Sequence, residues 1–401
     1  MAELAAGRKY HECAEAPDAT FGRAFARLPI AQLAGEARDV PAADVDRVLR
    51  RGRAENLAEF AALLSPSAGE RLEVMAGLSQ RLTRQHFGRA VRLFAPLYLS
   101  NECVNVCRYC GFSRHNDIPR ITLAPQKVLS ETEKLARQGF RHLLLVAGEH
   151  PKYVSNGYVE QCVRQCLPLM PEIALELGPL ETADYAPLVD AGAAALIVYQ
   201  ETYHQPTYEA LHTAGPKKYY AWRMDTPERG AQAGFRRLGI GALLGLADWR
   251  YEVIAVAAHA RHLLRTCWKS NVAISLPRMR PAAGGWQPDP AHAISDREFV
   301  QVVCALRLFL PNVGFTLSTR EPQALRDGLI PLGVTLMSAG SSTEPGGYEY
   351  FDETNWTTEH EQAGEQFHIS DERGPRAVAE AIRARGCEAV WKDYDAALAG
   401  V

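Results

Sequence analysis

The sequence has no marked charge of either sign: 44 Lys and Arg stand against 47 Asp and Glu in 401 residues, a net charge of −3. Such balance lacks the basic face that nucleic acids or anionic membranes require, so neither is expected as a partner. No uninterrupted apolar run approaches the roughly 20 residues that span a bilayer. Met1 to Thr20 mixes charges with alanine and has no secretory apolar stretch. A soluble, cytoplasmic protein is expected. Low-complexity tracts are missing, and no internal repeat is visible beyond a β/α unit.

What is present is a chain 47% hydrophobic, with ample material for a core. It has nine cysteines, an odd number that argues against a disulfide framework in a reducing compartment. Cys103, Cys107 and Cys110 crowd together, whereas Cys13, Cys162, Cys166, Cys267, Cys304 and Cys387 are scattered. Cys162 and Cys166 are four apart on a helix candidate but have no third ligand, and read as buried thiols.

Apolar residues recur at three- and four-residue intervals over Asp44–Arg51, Asn56–Leu64 and Gly69–Phe87, where Leu72, Met75, Leu78 and Leu82 mark one face. Residues 1–92 are therefore expected to form an N-terminal helical extension. Short apolar runs then occur at Pro96–Ser100, His142–Ala147, Ile173–Gly178, Ala194–Gln200, Arg237–Ala242, Val272–Leu276, Gly314–Ser318 and Gly333–Ser338. Helical patterns separate them, as in Gln126–Arg137, Val159–Leu167, Tyr251–Cys267, Asp296–Phe309 and Pro322–Gly328. Strands alternating with helices over 93–340 predict an α/β fold, a parallel (β/α)8 TIM-type barrel, although an open doubly wound sheet shows the same alternation. Residues 341–401 read as a C-terminal loop, through His368, with a closing helix at Pro375–Arg385 and a strand at Ala389–Trp391.

The cysteine cluster directly follows the first strand candidate, at the mouth where barrel enzymes place their chemistry. Three thiolates can bind three irons of a cubane and leave the fourth iron open to an outside ligand. Iron–sulfur potentials reach down to about −700 mV, low enough to inject an electron into a sulfonium. The alternative is a structural zinc site with His115 as fourth ligand, but zinc of that kind favours paired C-x2-C motifs, and no second pair exists.

Cys-x3-Cys-x2-Cys with Tyr109 before the last cysteine resembles the signature of the radical S-adenosylmethionine superfamily. Leu97–Asn101, Tyr109–Ser113, Leu143–His150, Tyr199–His204, Pro277–Pro281, Leu317–Glu321 and Val390–Tyr394 are similar, in order, to the 2-iminoacetate synthase family, the tyrosine lyases of thiamine thiazole synthesis. The resemblance runs from about residue 40 to the C-terminus. It implies a 4Fe–4S cluster on Cys103, Cys107 and Cys110, with S-adenosylmethionine on the open iron.

It further implies that Gly148 and Glu149 receive the cofactor's amino group, Ala147 standing where a first glycine is usual. Tyr109 is expected to contact the cofactor, Gln200, Glu201 and Thr202 its ribose hydroxyls near the nucleoside, Arg223 its carboxylate, and Gly241 its adenine. Gly239-Ile240-Gly241 is not a dinucleotide fingerprint, since the spacing is wrong. Arg320 is expected to anchor the substrate carboxylate, because a planar guanidinium holds it bidentately, with Ser338 and Tyr98 in support. Against these stand plainer readings: a solvated acid for Glu149, a surface ion pair for Arg223, and a rim pair of Arg320 with Glu321 or Asp327.

The implied reaction cleaves the Cα–Cβ bond of L-tyrosine to 2-iminoacetate and 4-cresol. It calls for a reductant protein such as flavodoxin or ferredoxin, and for thiazole synthase as the consumer. The tyrosine lyase of hydrogenase maturation carries a further C-terminal cysteine cluster, and here only Cys387 lies beyond Cys304. A tryptophan lyase shares the cluster, arginine and serine, and a non-catalytic zinc protein is the reading of another class. His150, His204 and Glu201 are candidates for a base that takes the phenolic proton.

Overall fold

The computed structural model describes residues 20–360 and 364–392. Cys13, Asp393 and Tyr394, named above, lie outside them. Eight parallel strands form the centre: β1 (Ala90–Ser100), β2 (His142–Ala147), β3 (Glu172–Glu176), β4 (Ala193–Ile197), β5 (Arg237–Gly241), β6 (Asn271–Ser275), β7 (Gly314–Leu317) and β8 (Leu336–Ser338). Pairing of Arg92 with Leu336 and of Phe94 with Ser338 joins β1 to β8 and closes the sheet into a barrel, which excludes the open-sheet alternative. β1 starts at Ala90 and so takes the last three residues of the expected N-terminal extension.

The two-residue period of a strand sorts the side chains. On β1, Leu93, Ala95, Leu97 and Leu99 are buried against the helices, while Phe94, Pro96 and Tyr98 line the interior. Register aligns Tyr98 with Val146 and Val146 with Glu176, so these three stand side by side on β1, β2 and β3.

The helices start at side-chain caps. Ser295 and Glu298 form a capping box at Asp296–Phe309, and Asp248 accepts from the backbone of Arg250 and Tyr251 at Trp249–Thr266. Helix Leu72–Phe87 corrects the expected face. Leu72 and Met75 are buried, but Ser79 and Thr83 are buried with them, while Leu78 and Leu82 are only half-buried. The reason is polar: the hydroxyls of Ser79 and Thr83 both donate to the Leu332 carbonyl, which passes close to that face.

After β8 the described residues of the expected loop are irregular, apart from one short turn at Gly347–Tyr350. This segment is nevertheless buried at Ser341–Glu344, Tyr348 and Trp356, because it crosses the barrel mouth instead of running over the surface. Helix Pro375–Ala384 then leads to β9 (Glu388–Val390), which pairs with Ala90–Arg92 of β1 beside the barrel's far end. Among the described residues no helix is long and apolar enough to cross a membrane.

Candidate active site

The loop after β1 is held from several sides. Arg120 donates to the carbonyls of Asn101, Phe112, Ser113 and Asn116 at 2.7–3.0 Å. Buried Asn101 donates to the Pro119 carbonyl at 2.7 Å and accepts from Ile121 N–H at 2.7 Å. Val106–Cys107 forms a short antiparallel ribbon with His212–Ala214. Two glycines are dictated by close approach: a Cβ on Gly148 would lie 2.3 Å from the Glu102 carbonyl oxygen, and one on Gly111 2.4 Å from that of Glu365.

Cys103, Cys107 and Cys110 are gathered on this loop. Burial pushes all three thiols above their ordinary pKa, and the charge of Cys110 adds to the effect at the other two. Among the described residues no three Cys, His, Asp or Glu side chains stand close enough to hold one metal ion. His115 is exposed. A spread set of three thiols suits a multi-iron cluster, one thiolate to each iron, better than a single four-ligand zinc.

Beside the loop the barrel mouth opens into a cavity of about 940 Å³. Cys110, Tyr109, Tyr98, Glu201, Ser338 and Arg320 all line it. The Tyr98 hydroxyl donates to Gln366 Oε1 at 2.9 Å, and Gln366 Nε2 lies 4.0 Å from Cys110 Sγ. Tyr109 pairs with His212 at 2.8 Å. His212 Nδ1 faces the Tyr208 carbonyl, so it carries the proton, and Tyr109 donates to Nε2. Burial holds this histidine neutral, down at about 3.

Arg320 follows β7, with its guanidinium 3.3 Å from the centroid of the Phe367 ring. The rim pair does not form: Glu321 accepts from Arg278 at 2.7 Å, and Asp327 from Arg373 at 2.8 Å. Among the described residues Arg320 has no carboxylate within ion-pair distance, and burial lowers its pKa. Ser338 Oγ accepts from Thr319 N–H at 3.1 Å, and the Ser338 carbonyl accepts from buried Arg326. Arg278 is taken up by Glu321 and Asp296, whereas Arg280 lines the cavity.

The residues expected near the nucleoside divide. Glu201 adopts a φ of 70°, which turns its carboxylate inward to Lys217 Nζ at 2.7 Å and Arg223 at 3.5 Å. These cations hold its carboxyl below the usual range despite burial, which opposes them. Arg223 Nε also donates to the Tyr199 carbonyl at 2.7 Å, so this buried arginine is no surface ion pair. Thr202 turns outward to Glu252, and the Gln200 amide donates to the Tyr220 carbonyl at 3.2 Å; neither lines the cavity. Gly241 has no room for a side chain, since a Cβ would lie 2.0 Å from the Ser275 carbonyl. Glu149 accepts from Asn105 at 2.8 Å, and with Gly148 lines a second cleft of about 1500 Å³ beside the cluster loop.

His150 lies in that second cleft, and His204 pairs with Thr207 at 2.8 Å on the outer face, so neither reaches the central cavity. Sequence reasoning missed Asn105, Lys217, Gln366 and Phe367. Asn105, between two of the cysteines, was the one with a local signal. It also missed Glu176, whose only signal was an acid inside an apolar strand run.

Residues 275–388 match the Biotin and Thiamin Synthesis associated domain. The chain is 42% identical over 358 residues to 2-iminoacetate synthase of Escherichia coli strain K12, covering 89% of this chain and 92% of that protein. It is 41% identical over the same length to the 2-iminoacetate synthase of Salmonella typhimurium, with the same coverage. Among solved structures it resembles HydG, a maturase of the FeFe-hydrogenase, with a TM-score of 0.82 and 29% identity over 90% of this chain and 79% of that one.

Proposed function

The chain belongs to the 2-iminoacetate synthase family of radical S-adenosylmethionine lyases, and from that membership we propose that it cleaves the Cα–Cβ bond of L-tyrosine. The products are 2-iminoacetate (dehydroglycine), used in thiamine thiazole synthesis, and 4-cresol. Cys103, Cys107 and Cys110 would hold a 4Fe–4S cluster, and Glu149 and Asn105 would face the amino group of S-adenosylmethionine. When bound, the cluster and S-adenosylmethionine supply a 5′-deoxyadenosyl radical. Glu201 would face the ribose hydroxyls, while Arg223 and Lys217 keep it ionised. Gly241 leaves flat backbone for the adenine.

The observation that carries the substrate reading is Arg320, a cation without a carboxylate partner among the described residues, in the same cavity as Cys110. A cation desolvated in this way favours an incoming carboxylate. Ser338 adds a hydroxyl beside it, and Tyr98, tied to Gln366, closes the wall towards the cluster. The protein supplies position and dryness, and the cofactors supply the radical. A low-potential protein such as flavodoxin or ferredoxin would be the reductant, thiazole synthase the consumer, and the cytoplasm the compartment.

Anaerobic reconstitution tests the reading. The expected protein is brown, holds ~4 irons per chain, and with dithionite, S-adenosylmethionine, tyrosine and tryptophan releases 4-cresol and 5′-deoxyadenosine. An indolic acid in place of cresol would move the chain to the tryptophan lyases, and a colourless protein with one zinc would remove the enzyme reading.

A further inference from the structure

Glu176 ends β3 with its side chain in the central cavity. Among the described residues it makes no hydrogen bond and no ion pair, although every other acid on that cavity wall has a partner: Glu201 is held by Lys217 and Arg223. β3 and β7 are separated by three strands in either direction round the barrel, so Glu176 faces across the cavity from Arg320. A tyrosine held by its carboxylate at Arg320 and Ser338 would therefore extend its ring towards β3. The hydroxyls beside Glu176 are already committed, Tyr98 to Gln366 and Tyr199 to Ser275.

We propose that Glu176 is the catalytic base that accepts the phenolic proton of the substrate, and so the residue that selects tyrosine over phenylalanine. The proposal rests on the tyrosine lyase reading above. In the step, the substrate O–H bond breaks, the proton binds a Glu176 carboxylate oxygen, and the electron pair stays on the phenolate oxygen. Carbon–carbon cleavage leaves an oxidobenzyl radical, which becomes cresolate by taking one electron from the low-potential reductant named above and one proton from solvent at its benzylic carbon. The same carboxyl then returns its proton to the cresolate oxygen.

The electrostatics fit this task. Burial, and then the charge of Glu201, push Glu176 up to about 7, against the pull of Arg320, Arg223 and Lys217. Arg280 and the hydroxyls of Tyr98, Tyr109 and Tyr199 complete the charged or titratable groups around it on the cavity wall, with the thiol of Cys110 beyond. A carboxylate near neutrality is matched to proton transfer far better than one near 4. Its basic form grows as pH rises through 7, and turnover should rise with it.

The test uses the reconstituted holoenzyme. Cresol release by the wild type from tyrosine comes first; without it the lyase reading falls, independently of Glu176. Glu176→Gln should then lower cresol formation by about 100-fold or more and remove the rise through pH 7. It should still form 5′-deoxyadenosine from S-adenosylmethionine, which shows that the fold and cofactor sites are intact. With 3,5-difluorotyrosine, whose phenol is more acidic, the defect should shrink by about tenfold. Should Glu176→Gln fail to fold, Glu176→Asp is expected to shift the pH limb and show the same dependence on phenol acidity. Wild-type cresol rates in Glu176→Gln, or an equal defect with both substrates, would overturn the proposal.

Discussion

The guanidinium of Arg320 lies 3.3 Å from the ring centroid of Phe367, so a residue after the seventh barrel strand is positioned by one from the C-terminal segment. The contact orients the cation without neutralising it, since an aromatic face attracts charge but offers no carboxylate. Its neighbour Gln366 touches both Tyr98 and Cys110. Arg320 and the cysteine loop thus share a single strap of chain.

Replacement of Arg320 by lysine keeps the charge but loses the planar fork and the stacking. The KM for tyrosine should rise by about tenfold or more, while reductive cleavage of S-adenosylmethionine without substrate persists. Phe367→Leu should give a smaller rise, of the few-fold size that about 0.5–1 kcal/mol of cation–π attraction sets. Unchanged tyrosine affinity in Arg320→Lys would contradict the anchor.

Cys110→Ser, or chelation of the native protein, should empty the cluster without unfolding the barrel. The thiols sit on a loop held by Arg120 and Asn101, apart from the large core between barrel and helices. Iron content should fall from ~4 per chain, with 5′-deoxyadenosine lost and the far-ultraviolet circular dichroism preserved.

Glu201→Gln removes the one carboxylate shared by buried Lys217 and Arg223. Leaving two cations uncompensated should destabilise the fold by about 3–5 kcal/mol. Glu201 has its folded pKa held down, so its contribution is present above the unfolded value and is lost as pH falls through the folded one. Denaturation of both proteins should therefore show the gap closing below about pH 4.

His142 gives an acid-sensitive term of its own. Burial at the inner end of β2 depresses it to about 3, against the pull of Glu172, so the folded state keeps it neutral. The unfolded chain takes up a proton near pH 6.5, and stability must fall as pH drops from there towards 3, by about 1.4 kcal/mol per unit for one proton. His142→Gln should flatten that slope in denaturant titrations, and an unaltered slope would exclude the effect.

Much of the barrel was legible locally. A strand exposes its period over a few residues and a helix over a few turns, so β2, β5 and helix Asp296–Phe309 emerge within a residue of their predicted bounds. The face of Leu72–Phe87 was misread because hydropathy cannot register an acceptor brought close by another segment; Leu332 makes Ser79 and Thr83 the buried pair. The three cysteines were equally legible as a group, because they lie within one loop.

Returning to Arg320 and Phe367, the sequence by itself determined the alternating strands and helices, the thiol trio and the presence of an arginine after β7. Each depends on neighbours close along the chain. Only the tertiary structure decided that Thr202 and Gln200 turn away, that Lys217 and Arg223 share Glu201, and that Gln366 and Phe367 close the cavity. It also decided that Glu176 faces Arg320 across the barrel. The reason is closure of the sheet: pairing β1 with β8 makes neighbours of residues more than 200 positions apart, and no local pattern encodes which of them meet.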